Sequence, residues 1–144
     1  MFIQIVRIGT ISGLLLGGIL YGLDILFHKK IYVLLMNVDF IPIFQGKQLP
    51  LLVEWSFHLI ISFIIVWIYL LLWCRLGNNM KRLYFSVLLG IVAGISYFPL
   101  TIVAIKATPA INDFFAIILW FSAHVIYGLS MYLLVKWERG RVSS

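Results

Sequence analysis

The sequence predicts an all-α polytopic membrane protein: a single transmembrane domain over 1–144, a bundle of four transmembrane helices, with both termini cytoplasmic. Three observations predict it. Hydrophobic residues fill 63% of the 144 positions and charged residues 11%, with mean hydropathy +1.09. Soluble domains run nearer half apolar and a quarter charged, and a chain of this size has too much surface to hide the excess from water. Four apolar stretches each approach the ~20 residues that cross a bilayer as a helix. The basic residues sit at the ends of those stretches.

The first stretch covers about 8–27 and stops at His28-Lys29-Lys30. It reads as an uncleaved span, because the first alanine is Ala93 and no A-x-A cleavage site lies near the start. The second covers about 51–74, the third about 83–105 and the fourth about 114–135. None shows the period-2 alternation of a barrel strand. Backbone groups in lipid must be satisfied within the segment, so the stretches are expected as helices. Between the first two lies the longest connection, 28–50, itself apolar over 31–36 and 41–44; such a loop is expected in the interface or folded over the helix ends. Gly77-Asn78-Asn79 and Thr108-Pro109 mark the two short connections. Trp73, Tyr84 and Trp137 fall where an inner aromatic belt is expected.

Orientation follows from Lys and Arg. One side would carry seven, at Arg7, Arg75, Lys81, Arg82, Lys136, Arg139 and Arg141; the other four, at Lys29, Lys30, Lys47 and Lys106. The richer side is expected in the cytoplasm. The net charge of +6 is thereby a matter of topology and of anionic headgroups, with membrane lipids as partners and no nucleic acid. The lone Cys74 excludes an internal disulfide.

Small residues recur at helical spacing. Gly9, Gly13 and Gly17 form one face of the first span, with Gly18 and Gly22 beside it, and the third span carries Gly90 and Gly94. Such a groove lets another helix come close, either inside the bundle or at a homo-oligomer seam or contact with another membrane protein. Pro99 should kink the third span or end it near Phe98, since proline removes a backbone donor.

Ionisable groups at membrane depth are costly, which makes Asp24, Glu54, His58 and His124 the candidate functional cluster. Glu54 and His58 share a helix face at four-residue spacing, and a bond between them would suit a proton relay. Asp24 and Glu54 are otherwise expected to pair with His28, Lys29 or Lys30. Counting from the span ends places His58 near one face and His124 near the centre, at unequal depths. Two histidines and a carboxylate suffice for a metal, and two histidines for haem, but the residues specify neither metal nor cofactor. No H-E-x-x-H, C-x-x-C, G-x-S-x-G or Walker pattern is present, and no catalytic residue is named. The halves resemble each other: Gly9 and Gly13 precede Ser56-x-His58, and Gly90 and Gly94 precede Ser122-x-His124. This is the pattern of a parallel repeat about the membrane normal.

A glycine-rich first span, a long outer loop (28–50), a histidine early in the second span (His58), Phe98-Pro99-Leu100, Thr108-Pro109 and a histidine in the fourth span before a basic tail (His124) recur together here. In this the chain resembles small bacterial inner-membrane proteins of the YagU and YqhR kind. The resemblance implies a bacterial cytoplasmic membrane and supplies no enzyme activity. Two functions are expected from the whole: a non-catalytic accessory or structural membrane component, or a small permeation or proton-handling protein using a polar cluster around His58 and His124.

Overall fold

The computed structural model describes residues 1–45, 47 and 49–142; the side chain of Arg141, counted above with the basic tail, lies outside what it describes. Among the described residues the chain is all-helical, with no strand. Its elements are α1 (Phe2–Phe27), α2 (Ile31–Met36), a 3-10 turn (Pro42–Phe44), α3 (Leu51–Arg75), α4 (Asn79–Gly94), α5 (Tyr97–Val103) and α6 (Phe114–Val142). Four helices are long and apolar enough to cross a membrane: Phe2–Phe27, Leu51–Arg75, Asn79–Val103 and Phe114–Gly140. One end of the bundle carries the start of α1, the end of α6 and the α3–α4 turn; the other, the loop end, carries the described residues between α1 and α3 and the α5–α6 connection.

The first span starts six residues earlier than expected because Arg7 lies inside the helix and is neutralised by an ion pair with the buried Glu138 of α6. Helix boundaries have local causes. The Asn78 side chain accepts from the Lys81 amide at 2.8 Å and opens α4. Asp113 opens α6, one carboxylate oxygen accepting from the Ala116 amide at 3.1 Å and the other from Lys29 at 2.8 Å. His28 and Lys30 both adopt left-handed backbone, φ 53° and 54°. Together they reverse the chain so that α2 folds back over the helix ends, burying Ile31, Leu34 and Met36. The greasy connection is therefore a cap on the bundle.

The third span is interrupted at Ile95 and Ser96, one turn before Pro99 rather than at Phe98. Pro99 cannot donate to the Ile95 carbonyl and its ring crowds that oxygen. The Phe98 amide takes the Ile95 carbonyl instead, at 3.2 Å, and so leaves the Gly94 carbonyl without its helical donor. The Trp120 indole N–H of α6 fills the vacancy at 2.8 Å.

Round the bundle, α1 packs on α3 and α6, and α4 on α6; the seam between α3 and α4 is the thinnest. Phe63, Leu59 with Ser62, and Trp55 of α3 occupy the space over Gly9, Gly13 and Gly17. Gly90 lies against the His124 carbonyl and Gly94 against Phe121, while Gly128 of α6 meets the backbone of Ser86 and Val87. The named glycine faces are thus filled within the monomer, whereas Gly18 and Gly22 face open space. At the terminal end Trp73 is buried, with the Arg82 guanidinium 4.5 Å over its ring. It belongs to the core, while Tyr84 and Trp137 are exposed as a belt requires.

Candidate functional site

The thin α3–α4 seam leaves a cavity of about 480 Å³ on the loop side of the bundle. Its walls are apolar, among them Leu16, Phe57, Ile61, Ile65, Val92 and Leu100. The 37–41 segment roofs it, and Trp120, His124 and Tyr127 of α6 form its back. Lining residues Phe40, Ile61 and Val92 are also exposed on the outer surface, so the cavity opens sideways between α3 and α4. A volume in this range suits a small organic ligand.

Three of the four candidate ionisable residues, Glu54, His58 and His124, line this one cavity. Asp24 does not. It makes no ion pair among the described residues, and its Oδ1 is buried without a partner. The expected partners are also rearranged. Glu54 bonds Lys106 at 2.7 Å across the α5–α6 connection, and Lys29 bonds Asp113. Glu54 and His58 do not bond each other: His58 reaches across to α1, its Nε2 2.9 Å from the Gly13 carbonyl oxygen.

A carbonyl oxygen only accepts, so each histidine's bond fixes its tautomer. His58 Nε2 must carry the proton that goes to Gly13, leaving Nδ1 as an acceptor in the neutral ring. His124 Nδ1 donates to the Trp120 carbonyl at 2.8 Å, leaving Nε2 as the acceptor. Neither remaining nitrogen has a hydrogen-bond partner among the described residues. His124 is 3% exposed, stacked at a tilt on Trp120 with ring centroids 4.6 Å apart.

The depths differ from those counted along the sequence. Ser62 Oγ and Tyr127 OH are 3.0 Å apart, which levels α3 with α6. His58 lies one turn toward the loop end from Ser62 and His124 just under one turn from Tyr127, about 6 and 4.5 Å at 1.5 Å per residue. The two imidazoles therefore sit within one turn of the same depth. Below them Ser62 donates to the Gly9 carbonyl at 2.8 Å, so Tyr127 must be the donor to Ser62. Beyond this pair the interior is closed by Val66, Tyr69, Leu70, Met131 and Val135, all buried. The cavity is a pocket that ends at mid-bundle.

Two residues at the roof escaped the sequence reading. Asp39, 4% exposed, accepts from the backbone amides of Ile105 and Lys106, at 2.6 Å from the latter. It clamps the roof to the α5–α6 connection. Asn37 accepts from the Asp39 amide at 3.1 Å, which fixes the orientation of its own amide and leaves the buried Nδ2 without a partner. A polar N-x-D inside an apolar loop was the available signal. Outside the membrane-spanning helices, the Lys29 ammonium and the Ala116 amide hold the Asp113 carboxyl below its ordinary range, and burial pushes the Tyr32 phenol up. Ser122, the counterpart of Ser56 in the apparent repeat, is exposed like it and belongs to no site. Among the described residues no three His, Cys, Asp or Glu side chains come together as a metal site would need.

No protein-family model, curated protein or solved structure matches the chain.

Proposed function

We propose that the chain is a non-catalytic component of a bacterial cytoplasmic membrane that holds a small amphipathic molecule in the cavity between α3 and α4. The observation that carries this reading is a membrane-depth pocket with apolar walls, a lateral opening and an unpartnered imidazole nitrogen at its back. Lipid is the natural source of such a molecule, since the opening faces it. The Lys and Arg asymmetry supports cytoplasmic termini, and reporter fusions at Asn79 test it. The likeness to YagU and YqhR rests on the sequence features alone. A glycine seam on α1, to a second copy or to another membrane protein, would have to use the open Gly18 and Gly22 face, because Gly9, Gly13 and Gly17 are filled from within.

A second reading, proton handling by His58 and His124, is favoured by their common depth in one cavity. The closure beyond Ser62 and Tyr127 weighs against a path through the bundle.

The test is purification of the full chain in mild detergent, followed by mass spectrometry of extracted small molecules, metal analysis and an absorption spectrum. The expected result is one amphipathic species held near stoichiometrically by the wild type and lost in Ser96→Phe, which puts a ring into the cavity. Identical lipid profiles for both proteins would overturn the binding reading.

A further inference from the structure

The hydrogen-bonding inventory of the cavity defines what it can hold. Its charges cancel, because Lys106 and Glu54 are paired at the rim. Its donors at the level of the histidines are committed within the protein: the Trp120 indole to Gly94, Tyr127 to Ser62, and Ser62 to Gly9. What remains there is acceptor capacity, on His124 Nε2, His58 Nδ1 and the lone pairs of the Tyr127 oxygen. The hydroxyl of Ser96 is the one uncommitted donor group among the described lining residues at this depth. Water entering so apolar a space would find few partners, and a charged ligand would lose its hydration with no opposite charge to receive it.

We infer that the cavity takes an uncharged amphiphile with a hydroxyl headgroup, a phenol or an alcohol, whose O–H donates to His124 Nε2 while its apolar body leaves between α3 and α4 into the lipid. This rests on the cavity reading proposed above and adds the headgroup. The acceptors are built in. The Trp120 carbonyl holds the His124 proton on Nδ1, and the Gly13 carbonyl holds the His58 proton on Nε2. A headgroup that only accepts, such as an ether or a ketone, would meet lone pairs at both histidines, the free donors being the Ser96 hydroxyl and, at the roof, the Asn37 Nδ2. His58 offers a second acceptor at the same level, which suits a second hydroxyl. The apolar wall residues and the sideways opening suit a chain or a ring.

The probes are a matched series: 4-decylphenol, which donates; 4-decylanisole, the same shape without the proton; 4-decylbenzoate, which is charged; and decylbenzene. Tritiated 4-decylphenol would be bound to the full chain in lipid nanodiscs, against empty nanodiscs to remove partitioning, and displaced by each of the others. The phenol should bind about tenfold more tightly than the anisole, the discrimination expected of one hydrogen bond out of water. His124→Phe should erase that preference while leaving binding of the apolar body. His124→Gln, which restores an acceptor, should recover part of it, and thermal unfolding in detergent confirms that each variant is folded. Equal affinity for phenol and anisole would overturn the headgroup inference and leave the cavity reading standing, as would tighter binding of the benzoate. Absence of saturable binding by any of the four would overturn both.

Discussion

The α1–α3 and α4–α6 pairs each set a glycine helix against a histidine helix, yet they are built differently. Across α1 and α3 the groove over Gly9, Gly13 and Gly17 is filled by side chains, and two of its carbonyls are taken by Ser62 and His58. Across α4 and α6 the backbones themselves touch at Gly90 and Gly128, one glycine from each helix, while Gly94 takes the Phe121 ring. The first interface uses its histidine as a tie between helices. In the second that tie is the Trp120 indole on the Gly94 carbonyl, and its histidine turns one nitrogen to its own helix and presents the other to the cavity. With a tryptophan holding the glycine helix, the histidine of α6 is released from the cohesive role that His58 keeps in α3.

Widening each interface should separate the two pairs most strongly. Gly90→Leu should destabilise the bundle by about 3 kcal/mol or more, because the new side chain meets the His124 carbonyl, which cannot move alone. Gly13→Leu should cost less, about 1–2 kcal/mol, since Leu59 and Ser62 can shift. Gly18→Leu, facing open space, should leave the monomer unchanged. Thermal unfolding in detergent ranks the three; a Gly13 variant as damaging as the Gly90 variant would show both interfaces to be backbone contacts.

The histidines should separate next. His58→Phe removes the bond to Gly13 and should cost about 1 kcal/mol, the scale of interhelical hydrogen bonds in membranes. His124→Phe should be close to neutral in stability, because the Trp120 carbonyl lies within a continuous helix. The reverse order, read from the same unfolding curves, would make His124 the structural residue.

The smallest effect lies at the rim. Asp113 has a lowered folded pKa, so its contribution is present above the ordinary carboxylate range and disappears as pH falls through that lowered value. Asp113→Asn should remove this part of the pH dependence: the variant is the less stable protein above the ordinary carboxylate range, and the two converge as pH falls through the lowered Asp113 value. An unchanged pH profile in the variant would show that Lys29 and Asp113 contribute nothing measurable.

The four spans were legible because lipid demands long apolar runs, and nothing in a chain this hydrophobic competes with that signal. His124 was legible as buried, since no side chain of that length reaches water from mid-span. The cavity was not, because its walls use the same Ile, Val, Leu and Phe that face lipid elsewhere. The pairing of Glu54 with Lys106 joins residues 52 apart in sequence, with nearer lysines as plausible partners. The role of Asp39 is hidden because its donors are backbone amides, which leave no mark on the sequence. The level of the two histidines depends on the stagger of α3 against α6, and only the Ser62–Tyr127 bond reveals it.

The central claim is that the α3–α4 cavity is occupied from the lipid, and covalent mapping tests it most directly. A 4-decylphenol carrying a diazirine in its chain, photolysed with the full chain in nanodiscs and located by peptide mass spectrometry, should label cavity residues such as Ile61, Val92 and Leu100. Excess unlabelled 4-decylphenol should suppress that labelling. Labelling confined to the outer faces of the helices, at residues such as Ile118, Ile126 and Leu133, and indifferent to competitor, would contradict it.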